Sequence, residues 1–181
     1  MGKWKFDPMH TQVEFSAKHL GMMTVRGHFA EVSAGGEIDV EHPERSRIEA
    51  TINTASIRTH NEQRDNDLRS STFLEADKHP TMTFKSTKIE PAGQDRYRMT
   101  GDLTIKGVTK PVTLDVVKYG EFTDERMGHR IGYAAQGEIN RKDFGMSFAA
   151  VLDGKFVVSN EIQINIEGEL LEAKEAAATG G

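Results

Sequence analysis

Four basic side chains carry the clearest binding chemistry in this sequence. They are His19, Arg26, Arg64 and Lys106. Arginine and lysine donate charge-assisted hydrogen bonds to phosphate and carboxylate oxygens, and an arginine can donate two in parallel. We predict that these residues bind an anionic head group at the mouth of a barrel. The alternative for Arg64 is a solvated pair with the adjacent Asp65, and exposed pairs contribute only about 0–1 kcal/mol to stability.

Other reactive residue types point away from catalysis and metal binding. The chain has no cysteine, which excludes thiol catalysis and thiolate metal sites. Its seven histidines form no pair at the i, i+2 or i, i+4 spacings that give a metal face, and it has no P-loop, dinucleotide or nucleophile-elbow motif. We therefore expect no catalytic residue, no metal and no cofactor. If the protein were an enzyme, its acid–base group would be His19 or Tyr133.

Composition narrows the class of protein. The 181 residues are 36% hydrophobic and carry a net charge of −5, which suits one core and gives no basic footprint for nucleic acid. The start of the chain lacks the apolar run of a signal peptide, and no stretch reaches the ~18 consecutive apolar residues of a membrane span. We expect one domain, no integral membrane segment, no nucleic-acid partner and a cytoplasmic location.

The elements that must position these residues are strands, and the stretch Gly101–Val117 shows this best. Leu103 and Ile105 alternate with polar residues on its first arm, and valine and leucine do so on the second. Alternation with period 2 predicts half-buried antiparallel strands. Between the arms Gly107 reaches positive φ easily, and Pro111 suits the start of a strand. The stretch is therefore predicted to be a β-hairpin.

The same alternation recurs along the chain and predicts about eight strands. We expect Gly35 and Gly36 to interrupt the second of them. One apolar and one polar face on each strand favour an all-β fold, a closed antiparallel eight-stranded barrel that encloses a packed core or one small ligand. The approximate extents are 13–19, 32–40, 48–52, 82–84, 97–105, 112–116, 131–139 and 162–166.

A short helical insertion is predicted between Thr59 and Ser71. Thr59 and Glu62 have the spacing of a capping box, and a polar helix of about two turns follows. Because so short and polar a helix is not stable alone, it must dock on the barrel. We place it across one end, where Leu68 and Phe73 are available for the contact.

Small residues on the inward faces leave two interpretations open. Residues such as Ala17 and Gly101 either accommodate a bulky neighbour on the next strand or leave room for a ligand. A cavity between these strands would be apolar and would take an apolar ligand. Its predicted lining is Phe15, Ala17, Phe29, Leu68, Phe73, Phe84, Met99, Leu103, Ile105, Tyr133, Phe144 and Phe148.

Four sequence blocks occur in the order, and with the gaps, of a known family. The first, WKFDPMHTQVEFSAKHLGMMTVRGHF, has a Trp, an Asp-Pro, a His, a strand ending in His-Leu-Gly and an Arg-Gly-x-Phe. The others are INTASIRTHNEQRDNDLRSSTFLEADKHPTMTFKST, GDLTIKGVTKPVTLDV and INRKDFGMSF. Together they resemble the YceI-like, polyisoprenoid-binding family. Met22-Met23 departs from the smaller polar pair usual in that family.

This resemblance implies a lipocalin-like barrel domain over residues 4–172. It implies binding, and transport or storage, of a long isoprenoid such as a polyprenyl phosphate or a quinone-like lipid. The tail would contact the lining residues, and the head group the four cationic ones. Family members are often linked to stress responses, and a homodimer is left open. The residues 173–181 lack periodicity and are expected to form a disordered tail.

Two other functions remain open at this point. The first is a structural or partner-binding barrel with a filled core, which predicts no internal tunnel. The second is a cyclase or isomerase that uses the same cavity.

Overall fold

The strands of this protein close into an antiparallel barrel, with a short helix and further strands at one end. The computed structural model describes residues 1–152 and 154–173. The helix α1 is Glu62–Arg69, and 3₁₀ turns lie at Pro43–Arg45, Thr54–Ser56 and Arg141–Phe144. The strands are β1 (Gly2–Phe6), β2 (Gln12–His19), β3 (Met23–Phe29), β4 (Val32–Ile38), β5 (Arg47–Asn53), β6 (Ile57–Arg58), β7 (Thr81–Gly93), β8 (Arg96–Ile105), β9 (Val108–Asp124), β10 (Gly128–Asn140), β11 (Val151–Leu152), β12 (Lys155–Phe156) and β13 (Glu161–Glu172).

Eight strands form the ring in the order β1-β4-β5-β7-β8-β9-β10-β13, and β13 pairs back with β1. Every neighbouring pair is antiparallel. The closing pair places Trp4 opposite Glu172 and Phe6 opposite Leu170. The predicted eight-stranded antiparallel barrel is confirmed, because eight antiparallel strands close into a ring through the pairing of β13 with β1.

The strands that form the ring differ in part from those predicted. The ring includes β1, which the sequence analysis missed. β2 was expected in the ring but follows β1 along the same edge of β13, where Gln12 lies opposite Glu167. It then continues to pair with β3, which pairs in turn with β6. These three strands and α1 extend one end of the barrel, here called the helix end.

Two expectations about glycine and proline are wrong. β4 runs unbroken through Gly35 and Gly36. A Cβ at Gly36 would collide with the Arg47 carbonyl of β5, so glycine at this position lets the two strands pair closely. Pro111 lies inside β9 rather than at its start. The ladder between β9 and β10 includes residues only from Asp115 onward, so the missing N–H of Pro111 disrupts no pairing there.

The helix has the predicted length of about two turns but a different cap. The side chain of Asn61 accepts a hydrogen bond from the Arg64 N–H, so Asn61 rather than Thr59 is the N-cap. Thr59 instead donates its N–H and its hydroxyl to the Asp65 carboxylate, at 2.8 and 2.6 Å. Leu68 points from α1 into the main core cluster. No helix among the described residues is long and apolar enough to cross a membrane.

The core has two parts. The larger cluster surrounds Phe84, Leu103 and Leu114 and extends to the helix end. The smaller one lies around Trp4 and Tyr133, at what is here called the Trp4 end. The strand region reaches Ala173, the first residue of the expected tail, whose N–H donates to the Lys3 carbonyl at 2.7 Å. The rest of that tail, 174–181, lies outside the described residues.

Candidate functional site

The barrel encloses a cavity of about 310 Å³. Its wall consists almost entirely of apolar side chains from the inward faces of the strands. At the helix end Leu68 and Phe73 complete the wall, and at the Trp4 end it reaches Pro43 and Ser46. A volume of this size lies within the usual range for small-molecule sites, which begins at about 300 Å³. The interior therefore has room for an apolar ligand.

Most of the residues predicted from alternation line this cavity. Phe144 and Phe148 do not. Phe144 is only 1% exposed and sits in the 3₁₀ turn after β10, where strand alternation no longer applies. Phe148 packs its ring against Phe73, at 5.4 Å between centroids. The lining residues that were predicted are Phe15, Ala17, Phe29, Leu68, Phe73, Phe84, Met99, Leu103, Ile105 and Tyr133.

The inward small residues divide between the two interpretations. Ala17, Ala50 and Ala135 line the cavity. Gly101 accommodates a neighbour instead, because a Cβ there would collide with the ring of Phe84 and lie 2.6 Å from the Lys85 carbonyl oxygen. The alanines border open space in the cavity, and the glycine makes room for a phenylalanine.

Part of the lining was not singled out from sequence. Ile162, Ile164 and Ile166 line the cavity along β13, and Ile48 and Ile52 do so along β5. Their alternation placed them inward, but an inward isoleucine has the same pattern in a filled core. The sequence pattern alone therefore does not distinguish an isoleucine that lines a cavity from one in a filled core; the closed ring does.

Arg141 is a buried cation at the cavity wall that sequence analysis missed. Its guanidinium donates to the carbonyls of Ser159, Met146, Phe148 and Val158, at 2.5 to 3.4 Å. Burial lowers its pKa from the ordinary value. These bonds hold the segment after β10 against the barrel, so the role that the geometry shows is structural.

Tyr133 presents a phenol within the apolar wall. The residue is 8% exposed, and its hydroxyl forms no hydrogen bond of ordinary geometry among the residues that the structure describes, although the nearby Thr11 side chain partly opposes the effect of burial on its pKa. Burial raises the pKa of this phenol well above its ordinary value. The group is therefore neutral over the physiological range.

None of the four predicted head-group residues lines the cavity. His19 and Arg26 are exposed on the β2–β3 hairpin, and the His19 Nδ1 lies 3.1 Å from the Val157 carbonyl oxygen. Arg64 donates to the hydroxyl and carbonyl of Thr59 at 2.8 and 2.7 Å. The Lys106 Nζ lies 3.9 Å from the Glu75 carboxylate.

These four residues share the helix end but do not converge on one point. His19, Arg64 and Lys106 each contact a different neighbouring residue, and Arg26 is exposed on β3. A common head-group site therefore does not follow from the geometry, and their binding role stays a prediction.

A cluster of ionisable groups lies at the opposite end. Asp7, His10 and Glu169 approach one another closely enough to hold an ion. The Arg130 guanidinium already lies 2.6 Å from Asp7 and 2.7 Å from Glu169. It also holds the pKa of the Asp7 carboxyl well below its usual range. With a fixed cation between the carboxylates, the cluster is explained as an ion-pair network.

Comparison with known proteins agrees with this architecture. A UPF0312 protein of Pectobacterium carotovorum is 40% identical over 147 residues, which cover 80% of this chain and 76% of the relative. The YCEI protein of Campylobacter jejuni, known from its crystal structure, superposes with a TM-score of 0.74 at 34% identity, covering 87% of this chain and 90% of that one.

A more distant structure shares the fold. A polyisoprenoid binding domain from Saccharophagus degradans superposes with a TM-score of 0.67 at 14% identity, over 96% of this chain and 100% of that one. The family model described as YceI-like domain matches residues 4–170, which include nearly all of the ring between Gly2 and Glu172. The chain belongs to the YceI-like domain family.

Proposed function

We propose that the protein binds a long-chain isoprenoid lipid in the barrel cavity and carries or sequesters it. The observation that carries this proposal is the cavity of about 310 Å³, walled by apolar side chains. A wall of this kind offers a ligand contact area and almost no hydrogen bonds. It suits an unbranched or methyl-branched hydrocarbon tail better than a polar metabolite.

The energetics favour a ligand with a long tail. Each buried CH₂ contributes about 0.8 kcal/mol, so a few isoprene units supply much of a micromolar affinity after the cost of association. The tail would provide affinity, and a polar group near the rim would provide orientation. A polyprenyl phosphate and a quinone-like lipid both meet this description.

The distant structural neighbour supports the same ligand class. The Saccharophagus degradans protein is a polyisoprenoid binding domain with this fold. At 14% identity the likeness concerns the fold alone. It supports the proposal because the apolar cavity arises from the barrel fold itself and does not depend on any single residue that would contact a head group.

The geometry favours binding over turnover. His19, one of the two acid–base candidates, lies outside the cavity wall. Tyr133, the other, has a pKa raised by burial, so it is a weak acid and is rarely ionised near neutral pH. The cavity also favours a ligand carrier over a barrel with a filled core.

Mass spectrometry of an organic extract from natively purified protein tests the proposal. Ala50→Phe fills the cavity from β5, and Thr51→Phe on the outward face of the same strand is the matched control. We expect a stoichiometric isoprenoid in the parent and in the control, and none in the folded Ala50→Phe variant. Empty extracts from the parent, before and after incubation with prenyl lipids, would overturn the proposal.

A further inference from the structure

Two loops at the helix end, joined by backbone hydrogen bonds, each expose large apolar side chains. Met22, in the β2–β3 turn, and Met23, the first residue of β3, are 64% and 68% exposed. Val151 and Leu152, in the β11–β12 hairpin, are 51% and 61% exposed. These four residues are here called the apolar tip. Isolated exposed apolar residues are common, but exposed apolar residues grouped on joined loops are typical of an interaction surface.

Hydrogen bonds join the two loops into one surface. The Leu20 N–H donates to the Val157 carbonyl at 3.3 Å, and the Ser159 N–H donates to the Lys18 carbonyl at 2.9 Å. The hairpin is tied in turn by the Val157 N–H, which donates to the Ala150 carbonyl at 2.9 Å. The apolar tip is therefore built on paired backbone.

This surface adjoins the cavity. His19 forms a β-bridge with Val158, and Val158 lines the cavity. On β2, Phe15 and Ala17 line the cavity and lead directly to the turn that carries Met22. The distance along the chain from cavity wall to apolar tip is a few residues.

The charge around the tip is positive although the chain is acidic. From Phe15 to Ala30, between two flanking glutamates, the sequence contains Lys18 and Arg26 and no acidic residue, and residues 150–157 of the second loop contain one acidic and one basic residue, whereas the whole chain carries −5. The Lys18 Nζ donates to the Thr24 hydroxyl at 2.7 Å. Among the described residues, no carboxylate forms an ion pair with Lys18 or Arg26. These charges are available to an anionic partner.

A second exposed apolar group provides a contrast. Tyr119, Phe122 and Met127 are 65%, 55% and 51% exposed at the tip of the β9–β10 hairpin, at the Trp4 end. Residues 118–129 there include three acidic and two basic residues. Of these two surfaces, the one at the helix end combines exposed apolar side chains with an excess of basic residues on its β2–β3 hairpin.

We propose that the apolar tip docks on the surface of an anionic phospholipid bilayer. Apolar side chains that enter the headgroup boundary and basic residues that face anionic lipid act together in peripheral membrane binding. Methionine suits such a contact because its flexible side chain adapts to an irregular surface. Docking there brings the cavity end formed by Phe15, Ala17 and Val158 next to the bilayer.

Co-sedimentation with vesicles tests this proposal without any isoprenoid present. Vesicles of phosphatidylglycerol and phosphatidylcholine in equal amounts are compared with vesicles of phosphatidylcholine alone. We expect binding to the anionic vesicles, with a partition coefficient that falls as salt is raised. Lys18→Gln/Arg26→Gln should lower it about fivefold for each charge removed.

The decisive variant removes the apolar tip. Met22→Ser/Met23→Ser should lower the partition coefficient about tenfold or more, because two exposed apolar side chains no longer enter the bilayer. Met9→Ser is the matched control, since Met9 is 87% exposed beside Asp7 at the Trp4 end. That variant should bind as the parent does.

Two results would overturn the proposal. One is equal binding of the parent and Met22→Ser/Met23→Ser to anionic vesicles. The other is a dimer of the parent, without vesicle binding, that Met22→Ser/Met23→Ser dissociates, because the surface would then contact a second copy of the chain. Lipid extraction from the same variant is a separate readout, so failure of docking and failure of isoprenoid binding are distinguishable.

Discussion

The Arg130 guanidinium lies 2.6 Å from the Asp7 carboxylate, although the two residues are 123 positions apart in the chain. The same nitrogen, Nη1, lies 2.7 Å from Glu169. Asp7 follows β1, Arg130 lies on β10 and Glu169 lies on β13. The Arg130 side chain therefore links the segment after β1 to β13, beside the place where these two strands close the ring. Both Asp7 and Arg130 are mostly buried, which reduces the screening of their charges.

Asp7→Asn is expected to destabilise the protein at pH 7 by about 1 kcal/mol, after allowance for solvent around the pair. Arg130 holds the pKa of Asp7 below its ordinary value, so the stabilisation is present above about pH 4 and is lost as the pH falls further. Urea denaturation as a function of pH measures this. Asp115→Asn, whose carboxylate is 78% exposed and 3.8 Å from Arg98, should have no effect. Equal effects of the two variants would contradict the prediction.

Asp65→Ala is expected to loosen α1 over the cavity. Asp65 accepts the N–H and hydroxyl of Thr59, and both donors would be left without this acceptor, at a cost of about 1–3 kcal/mol. Leu68 on the same helix lines the cavity, so hydrogen exchange in α1 and release of a bound lipid should both become faster. Asp67→Ala, at an exposed position of α1, is the control. Identical exchange in the two variants would show that Asp65 does not hold the helix.

Alternation predicted which way residues point, because a strand has the same period whatever its partner. Phe84 and Leu103 were placed inward and lie opposite each other. The partners themselves depend on distant sequence. Trp4 and Phe6 also alternate, yet β1 could be recognised only from its pairing with β4 and β13, at positions far along the chain.

The cationic residues were harder to place than the apolar ones. The burial of an apolar side chain follows from its residue type, but the position of a cationic side chain depends on which hydrogen-bond acceptors lie near it in the fold. Arg64 is committed to Thr59, and Arg141, which looks like a surface residue in the sequence, is buried among four carbonyls. Such partners are formed by loops, for which neither period 2 nor period 3.6 applies.

Tyr133→Phe is expected to leave stability at pH 7 unchanged or raise it by up to about 1 kcal/mol. Among the described residues the hydroxyl forms no hydrogen bond of ordinary geometry, so its removal loses at most a weak interaction with Thr11 and relieves its desolvation. Burial raises the pKa of the phenol, so the unfolded state ionises first above about pH 10 and the parent loses stability there. Thermal unfolding should therefore favour the variant increasingly above that pH. A less stable variant at pH 7 would reveal a partner for the hydroxyl.

Gly101→Ala is expected to destabilise the barrel and reduce its lipid capacity together. The new Cβ would collide with the Phe84 ring and lie 2.6 Å from the Lys85 carbonyl oxygen, so both ring and backbone must shift, at a cost of about 1–3 kcal/mol. Phe84 lines the cavity, and its displacement reduces the space available to a ligand. Gly120→Ala on β9 meets nothing within 4 Å and should be neutral. Urea denaturation and lipid titration measure the two effects. A stable Gly101→Ala variant with full lipid capacity would show that β8 can move away from β7 without cost.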